Sequence, residues 1–252
     1  RDFWTESMLR TFRADLHIHS CLSPCGDEAM RPQAIVHQAL AMGLDMIAIC
    51  DHNSAENVTA FVSAGSEKGL PVLPGMEITS KEEIHLLTLF DRLEECMALQ
   101  DLVYQNLPGE NVEEVFGFQT VVNQRDEALG INRKMLIGAT LLPLERIVSF
   151  VSSLRGVTIA SHIDRQAFSL LGQLGFIPEG IHLDGLEISP RTSKEEAKKR
   201  FHSYQRFSFV RFSDAHTLED IGKNFTHFLL EKTTSEEVKL ALHHREGRRV
   251  VE

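Results

Sequence analysis

Cysteine is scarce, with four residues in 252, at positions 21, 25, 50 and 96. They are too few and too scattered to staple a chain of this length, so a disulfide framework is excluded and free thiols in a reducing compartment are expected. Cys21 and Cys25 have no second pair to complete a zinc knuckle. Long apolar runs are also missing. No stretch approaches the roughly 20 residues of a membrane span, and no charged-then-apolar leader opens the sequence, so no membrane partner and a cytoplasmic location are expected. An excess of positive charge is lacking too, because 26 Lys and Arg stand against 36 Asp and Glu for a net charge of -10. Phosphate backbones are gripped by clustered basic side chains, so a broad nucleic-acid surface is excluded and phosphate recognition must be local, by metal ions or single arginines. There are no internal repeats or low-complexity tracts. The basic run Lys198-Lys199-Arg200 reads as a solvated helix face.

What is present is an ordinary globular composition, 42% apolar and 25% charged, in a chain long enough for one large continuous core. Apolar runs bounded by turn residues alternate with stretches of helical period, the pattern of an α/β fold with a mostly parallel sheet. Strands are predicted at 12–19, 46–51, 72–78, 84–90, 157–162, 185–188, 209–213 and 226–230. Helices are predicted at 32–42, 53–67, 92–105, 143–154, 193–203 and 235–246, the first opening on Pro32 and stopping at Gly43. Residues 106–134 break the rhythm. They read as an insertion, with a short hairpin around 115–123, projecting from a single domain that spans 1–252.

Residues that carry chemistry recur at the ends of these strands. The first ends in His17 and His19, which share a face because alternate strand residues do. The second ends in Asp51-His52, the third in Gly75-Met76-Glu77, and His85 opens the fourth. His162-Ile163-Asp164-Arg165 closes the fifth, Glu187 lies on the sixth, and Asp214-Ala215-His216 closes the seventh. A lone histidine is most often structural, but independent structural histidines have no reason to gather at one end of a sheet. In a closed βα barrel, functional groups collect at the C-terminal ends of many strands, whereas an open sheet concentrates them at a switch point. A barrel is therefore expected. Imidazoles and carboxylates suit zinc, iron or manganese, and eight ligand-type residues exceed one ion's four to six sites, so two to three divalent ions are implied.

The ordered set DLHIHS, CDHNS, PGMEIT, EIHLL, ASHIDR and FSDAH resembles the polymerase and histidinol phosphatase (PHP) domain family, over about 12–216. The resemblance implies a distorted (β/α)7 barrel with a trinuclear metal site on its C-terminal rim. It implies that His17, His19, Glu77 and Asp214 surround one ion, that Glu77 bridges to a second held by His85 and His162, and that His52 and His216 help hold a third. The family usually places an Asp or His soon after the H-x-H. Here the segment is Ser23-Pro24-Cys25-Gly26-Asp27, and either Cys25 or Asp27 takes that place. A Cys25 thiolate would soften the third site toward zinc or iron. Asp51, and less readily Asp15, could fix the tautomer of a neighbouring histidine.

Arg165 and Arg191 are candidate substrate-binding groups, since one guanidinium can grip two phosphate oxygens; either could instead form a surface salt bridge. Asn53 and Ser189 are weaker candidates for polar contacts. The expected reaction is in-line hydrolysis of a phosphate ester of a small metabolite or nucleotide by a metal-bridging hydroxide, with Arg165, Asp214 and His216 at the reacting centre. Two alternatives stand beside it. One is a 3'-end nuclease, in which nucleic acid enters only as substrate. The other is a non-catalytic, metal-stabilised scaffold.

Overall fold

The computed structural model describes residues 8–251, so both ends of the expected 1–252 domain lie outside the described residues. In chain order its elements are β1 (Arg10–Ile18), α1 (Pro32–Ala41), β2 (Met46–Ile49), α2 (Val58–Lys68), β3 (Val72–Thr79), β4 (His85–Leu89), α3 (Leu93–Gln105), α4 (Glu113–Phe116), β5 (Thr120–Val122), β6 (Ala128–Ile131), α5 (Leu144–Ser153), β7 (Val157–Ala160), α6 (Leu170–Leu174), β8 (Gly185–Glu187), α7 (Lys194–Arg200), β9 (Ser208–Val210), β10 (Thr226–Leu230), α8 (Ser235–Leu242) and β11 (Arg249–Val251).

Nine strands form one sheet in the order β11-β10-β1-β2-β3-β4-β7-β8-β9. The sheet curls until its ends nearly meet. Beyond β9 the chain bridges back to β1 through Ala215 and Ile18, with His19 N donating to Ala215 O at 3.0 Å and Ala215 N to His17 O at 3.3 Å. Strands β1–β4 and β7–β9 are thus the seven of the expected barrel, and β10 and β11 extend it antiparallel from the other edge of β1. The interior is filled by Leu16, Met46, Leu87, Val157, Phe212 and Phe228. Helices α1 and α2 cover the outside through Ile35 and Phe61, packed on Ile47 and Ile49.

Two departures from regularity position the rim. First, β4 runs antiparallel to both β3 and β7, because the 80–84 turn is far too short for a crossover. In that turn the Ser80 hydroxyl accepts from Glu82 N and Ile84 N. The first residue of β4, His85, therefore lies at the same end as the last residues of the parallel strands. Second, the register of β1 on β2 slips between Asp15 and Ile18. Phe12, Ala14 and Leu16 face the interior, while Ile18 packs outside. A bulge adds one residue to a strand and changes which face follows; here it directs His17 and His19 into the barrel mouth.

Every predicted strand forms, and the differences lie at the bounds of helices and in the insertion. α2 begins at Val58 rather than 53, because Asn53 sits at φ 51° and its amide donates to the carbonyls of Leu136 and Gly138, both at 2.8 Å. The hairpin is β5–β6, downstream of the predicted 115–123. Its turn is made by the Asn123 side chain, which accepts from Arg125 N and Glu127 N, while residues 113–116 coil into α4 ahead of Gly117 at φ 84°. The predicted helix 193–203 divides into α7 and a 3-10 turn at His202–Tyr204, and 235–246 stops at Leu242. Helix α6 and strand β11 have no counterpart in the sequence reading. No helix among the described residues is long and apolar enough to cross a membrane.

Candidate metal centre

His17, His19, His52, Glu77, His85 and His162 are all buried at the barrel mouth. Glu77, on β3, is the hub. Its Oε1 lies 3.3 Å from His17 Nε2, 3.2 Å from His85 Nδ1 and 3.4 Å from His162 Nε2. Its Oε2 lies 3.4 Å from His19 Nε2 and 3.2 Å from His52 Nδ1. Asp214 Oδ1 approaches His17 Nε2 at 3.4 Å and His19 Nε2 at 3.2 Å. The His19 ring is stacked on that of His216, with centroids 4.3 Å apart.

Donor atoms within 4.8 Å of one another form three groups: His17, His19, Glu77 and Asp214; His52, Glu77 and His85; and His19, Cys25, His52 and His216. His162 is in none of these groups but approaches the assembly at Glu77 Oε1 and lies beside the His85 ring, with centroids 5.3 Å apart. Cys25, exposed at the mouth, enters the third group, whereas Asp27 does not. The Asp27 carboxylate accepts instead from Ala29 N at 2.8 Å, and its own N donates to His216 O at 2.9 Å.

Divalent cations fit this donor set. His52 Nδ1, His85 Nδ1 and Glu77 Oε1 are buried without a hydrogen-bond partner, and a buried polar atom left unpaired is costly. The titration behaviour points the same way. Burial would lower the His19 imidazole, but the Asp214 and Glu77 carboxylates raise it from 6.5 to about 9. Burial likewise opposes charge on His17, yet Glu187, Glu77 and Asp214 hold it well above the ordinary histidine value. Glu77 and Asp214 stay well below the usual carboxylate range despite burial, through the charged rings around them. Burial and the charge on His19 push His216 down to about 4 and His52 well below 6.5. The carboxylates thus favour positive charge on the rings between them, the electrostatic setting in which a cation binds.

A second layer aims the ligands. Glu187, on β8, accepts from His17 Nδ1 at 3.0 Å and from His162 N at 3.0 Å. His17 therefore carries its proton on Nδ1 and turns Nε2 inward. The Ser23 hydroxyl donates to Asp51 at 2.7 Å, which leaves its lone pairs for His19 Nδ1 at 3.0 Å and His52 N at 3.1 Å. Asp51 thus acts on His19 through Ser23, not by direct contact. His216 Nδ1 donates to the Asp214 carbonyl at 2.7 Å, again freeing Nε2. Asp15 takes no part. It accepts from Ser213 N and Gly222 N, both at 3.0 Å, and pins the closing loop to β1.

The arginines separate. Arg165 Nη2 pairs with Asp214 Oδ2 at 2.5 Å and its buried Nε has no partner, so this guanidinium belongs to the cluster. Arg191 is exposed, and among the described residues no side-chain hydrogen bond or ion pair links it to the centre. Asn53 and Ser189 serve as loop fasteners: Ser189 Oγ donates to Asp164 at 2.6 Å. The sequence reading noted Glu187 without giving it a task, and a lone acid in a buried strand was the available signal. Ser23 offered none.

Three comparisons bear on this geometry. A 5'-3' exoribonuclease from Haemophilus influenzae is 35% identical over 86 residues, which is 32% of this chain and 30% of that protein. The lesion-specific endonuclease PfuEndoQ from Pyrococcus furiosus superposes with a TM-score of 0.73 at 17% identity, over 96% of this chain and 58% of that one. A putative metal-dependent phosphoesterase from Bifidobacterium adolescentis gives a TM-score of 0.58 at 19% identity, over 90% and 94%. The chain thus spans less than a third of the exoribonuclease and little more than half of the endonuclease. The profile of the PHP domain matches residues 15–207, most of the sequence and nearly all of the strands that build the rim, and the chain belongs to the PHP domain family.

Proposed function

We propose that this chain is a metal-dependent phosphoric ester hydrolase whose substrate is a nucleic-acid strand, cleaved at a phosphodiester bond. The observation that carries the proposal is the convergence of eight His, Glu and Asp side chains on one rim, with buried donor atoms that lack protein partners. His17, His19, Glu77 and Asp214 would hold one ion, and His52, His85 and His162 a second with Glu77. His19, Cys25, His52 and His216 would hold a third. The mixture of imidazole, carboxylate and thiolate suits zinc, iron or manganese. Divalent ions bound there lower the pKa of coordinated water and neutralise phosphoryl oxygens.

The chain's own residues supply the rest. Arg165 adds a planar cation beside Asp214, positioned to turn one edge toward phosphate oxygens. Neutral His216 offers a lone pair rather than a proton, so it serves better as a ligand or base than as an acid for the leaving group. Glu187 and Ser23 fix the rings of His17 and His19. Arg191, on the exposed loop after β8, would meet only the more distant parts of a long substrate.

A nucleic-acid substrate is supported by the names of the relatives, an exoribonuclease and a lesion-specific endonuclease; a small metabolite has no such support. The direction in the exoribonuclease's name favours attack from a 5' end over the 3' end of the alternative weighed from sequence. The test is a substrate panel of RNA and DNA oligonucleotides labelled at either end, nucleoside monophosphates and p-nitrophenyl phosphate. Oligonucleotide cleavage that disappears in His17→Ala and Glu77→Ala is expected. Activity confined to monoesters, or full activity in either variant, would overturn the proposal.

A further inference from the structure

We propose that Phe168 is a stacking platform for the nucleobase beside the scissile phosphate, an inference that rests on the nuclease reading. Phe168 lies on the rim loop between β7 and α6. Its ring stacks on His85, with centroids 4.8 Å apart and planes 24° apart, and the residue is nevertheless 42% exposed. One face is therefore set against a ring of the metal centre and another opens to solvent. An exposed phenylalanine one ring removed from Glu77 contributes little to the core.

The backbone is strained to keep it there. Phe168 sits at φ 56°, a left-handed conformation that bulky residues avoid and that persists only where its surroundings enforce it. Those surroundings are visible. Phe168 O accepts from His85 N at 3.0 Å, and Ser169 Oγ donates to Arg165 O at 2.6 Å while capping α6. Asp164, at the base of the loop, accepts from Ser189 Oγ and Thr192 Oγ1, both at 2.6 Å. The same loop carries Arg165, which pairs with Asp214, so ring and guanidinium are presented together at the mouth.

Charge favours such a platform. A chain of net charge -10 has few cations to spare for neutralising phosphates, and aromatic stacking is the sequence-tolerant alternative, available to every base. The occupant is then an unpaired base at a strand end or a displaced position, because a base paired within a duplex has no free face.

The experiment is a cycle between protein and substrate. kcat/KM is measured for wild type, Phe168→Ala and Phe168→Trp on an oligonucleotide with a normal base next to the cleaved bond, and on the same oligonucleotide abasic at that position. Phe168→Ala is expected to lose about tenfold on the normal substrate and almost nothing on the abasic one, with Phe168→Trp close to wild type and metal content equal in all three. Equal losses on both substrates would mean that Phe168 merely supports His85, and would overturn the proposal, as would no loss on either. A wild-type protein that cleaves no oligonucleotide overturns the nuclease reading itself.

Discussion

Glu187 and Ser23 belong to no candidate ion group, yet they decide which nitrogen His17 and His19 present to the barrel mouth. Partners of this kind typically set 10–100-fold in metal affinity. Glu187→Gln keeps the shape but loses the carboxylate charge behind His17, so about 10–100-fold weaker metal binding is expected by competition with a chelating dye, with little change in fold by circular dichroism. Protonation gives a second expectation at this scale. His19 has a folded value of about 9 against an ordinary 6.5, and His17 is raised too. In metal-free protein the stability drawn from these charged rings is fully present below pH 6.5 and is lost as pH rises to about 9. Thermal unfolding of the metal-free protein should therefore shift to lower temperature across that window. Metal-loaded protein should not follow, because the ions replace the protons; a flat profile in both would contradict the assignment. Most of the site was legible at this scale, since His and Asp in short motifs at strand ends carry their chemistry openly. Phe168 was not, because nothing in Gln166-Ala167-Phe168 distinguishes a strained exposed ring from a buried one.

At the level of elements, β3 shows how packing and ligation share residues. Gly75 stands two before Glu77, and a Cβ there would meet Cys50 Sγ at 2.5 Å and the carbonyls of Ile49 and Thr88 at 3.0 Å. Gly75→Ala must push β3 away from β2 and β4, moving the hub carboxylate. A loss of about 1–3 kcal/mol in chemical denaturation is expected, with weakened metal uptake; an unchanged midpoint would show that the strands yield freely. The apolar runs of the barrel strands were readable because strands buried on both faces read as short continuous apolar runs between turn residues. The direction of β4 was not, since reversal depends on the length of the 80–84 turn rather than on composition. The β1 bulge was equally hidden: Leu16, His17 and Ile18 read as simple alternation, and only pairing with β2 shows the slip. β11 escaped notice because a short, half-exposed edge strand buries too little to leave a pattern.

On the scale of the molecule, a chain of net charge -10 concentrates imidazoles and carboxylates on one rim. A substrate phosphate is then drawn by the centre itself, and removal of the ions should abolish binding and turnover together. The direct measurement is ion content per chain in protein purified without chelator, read alongside oligonucleotide cleavage before and after stripping and reloading. Three donor groups lead to an expected two to three transition-metal ions per chain, with cleavage lost on stripping and restored on reloading. One ion or none in a protein that still cleaves would contradict the multinuclear rim.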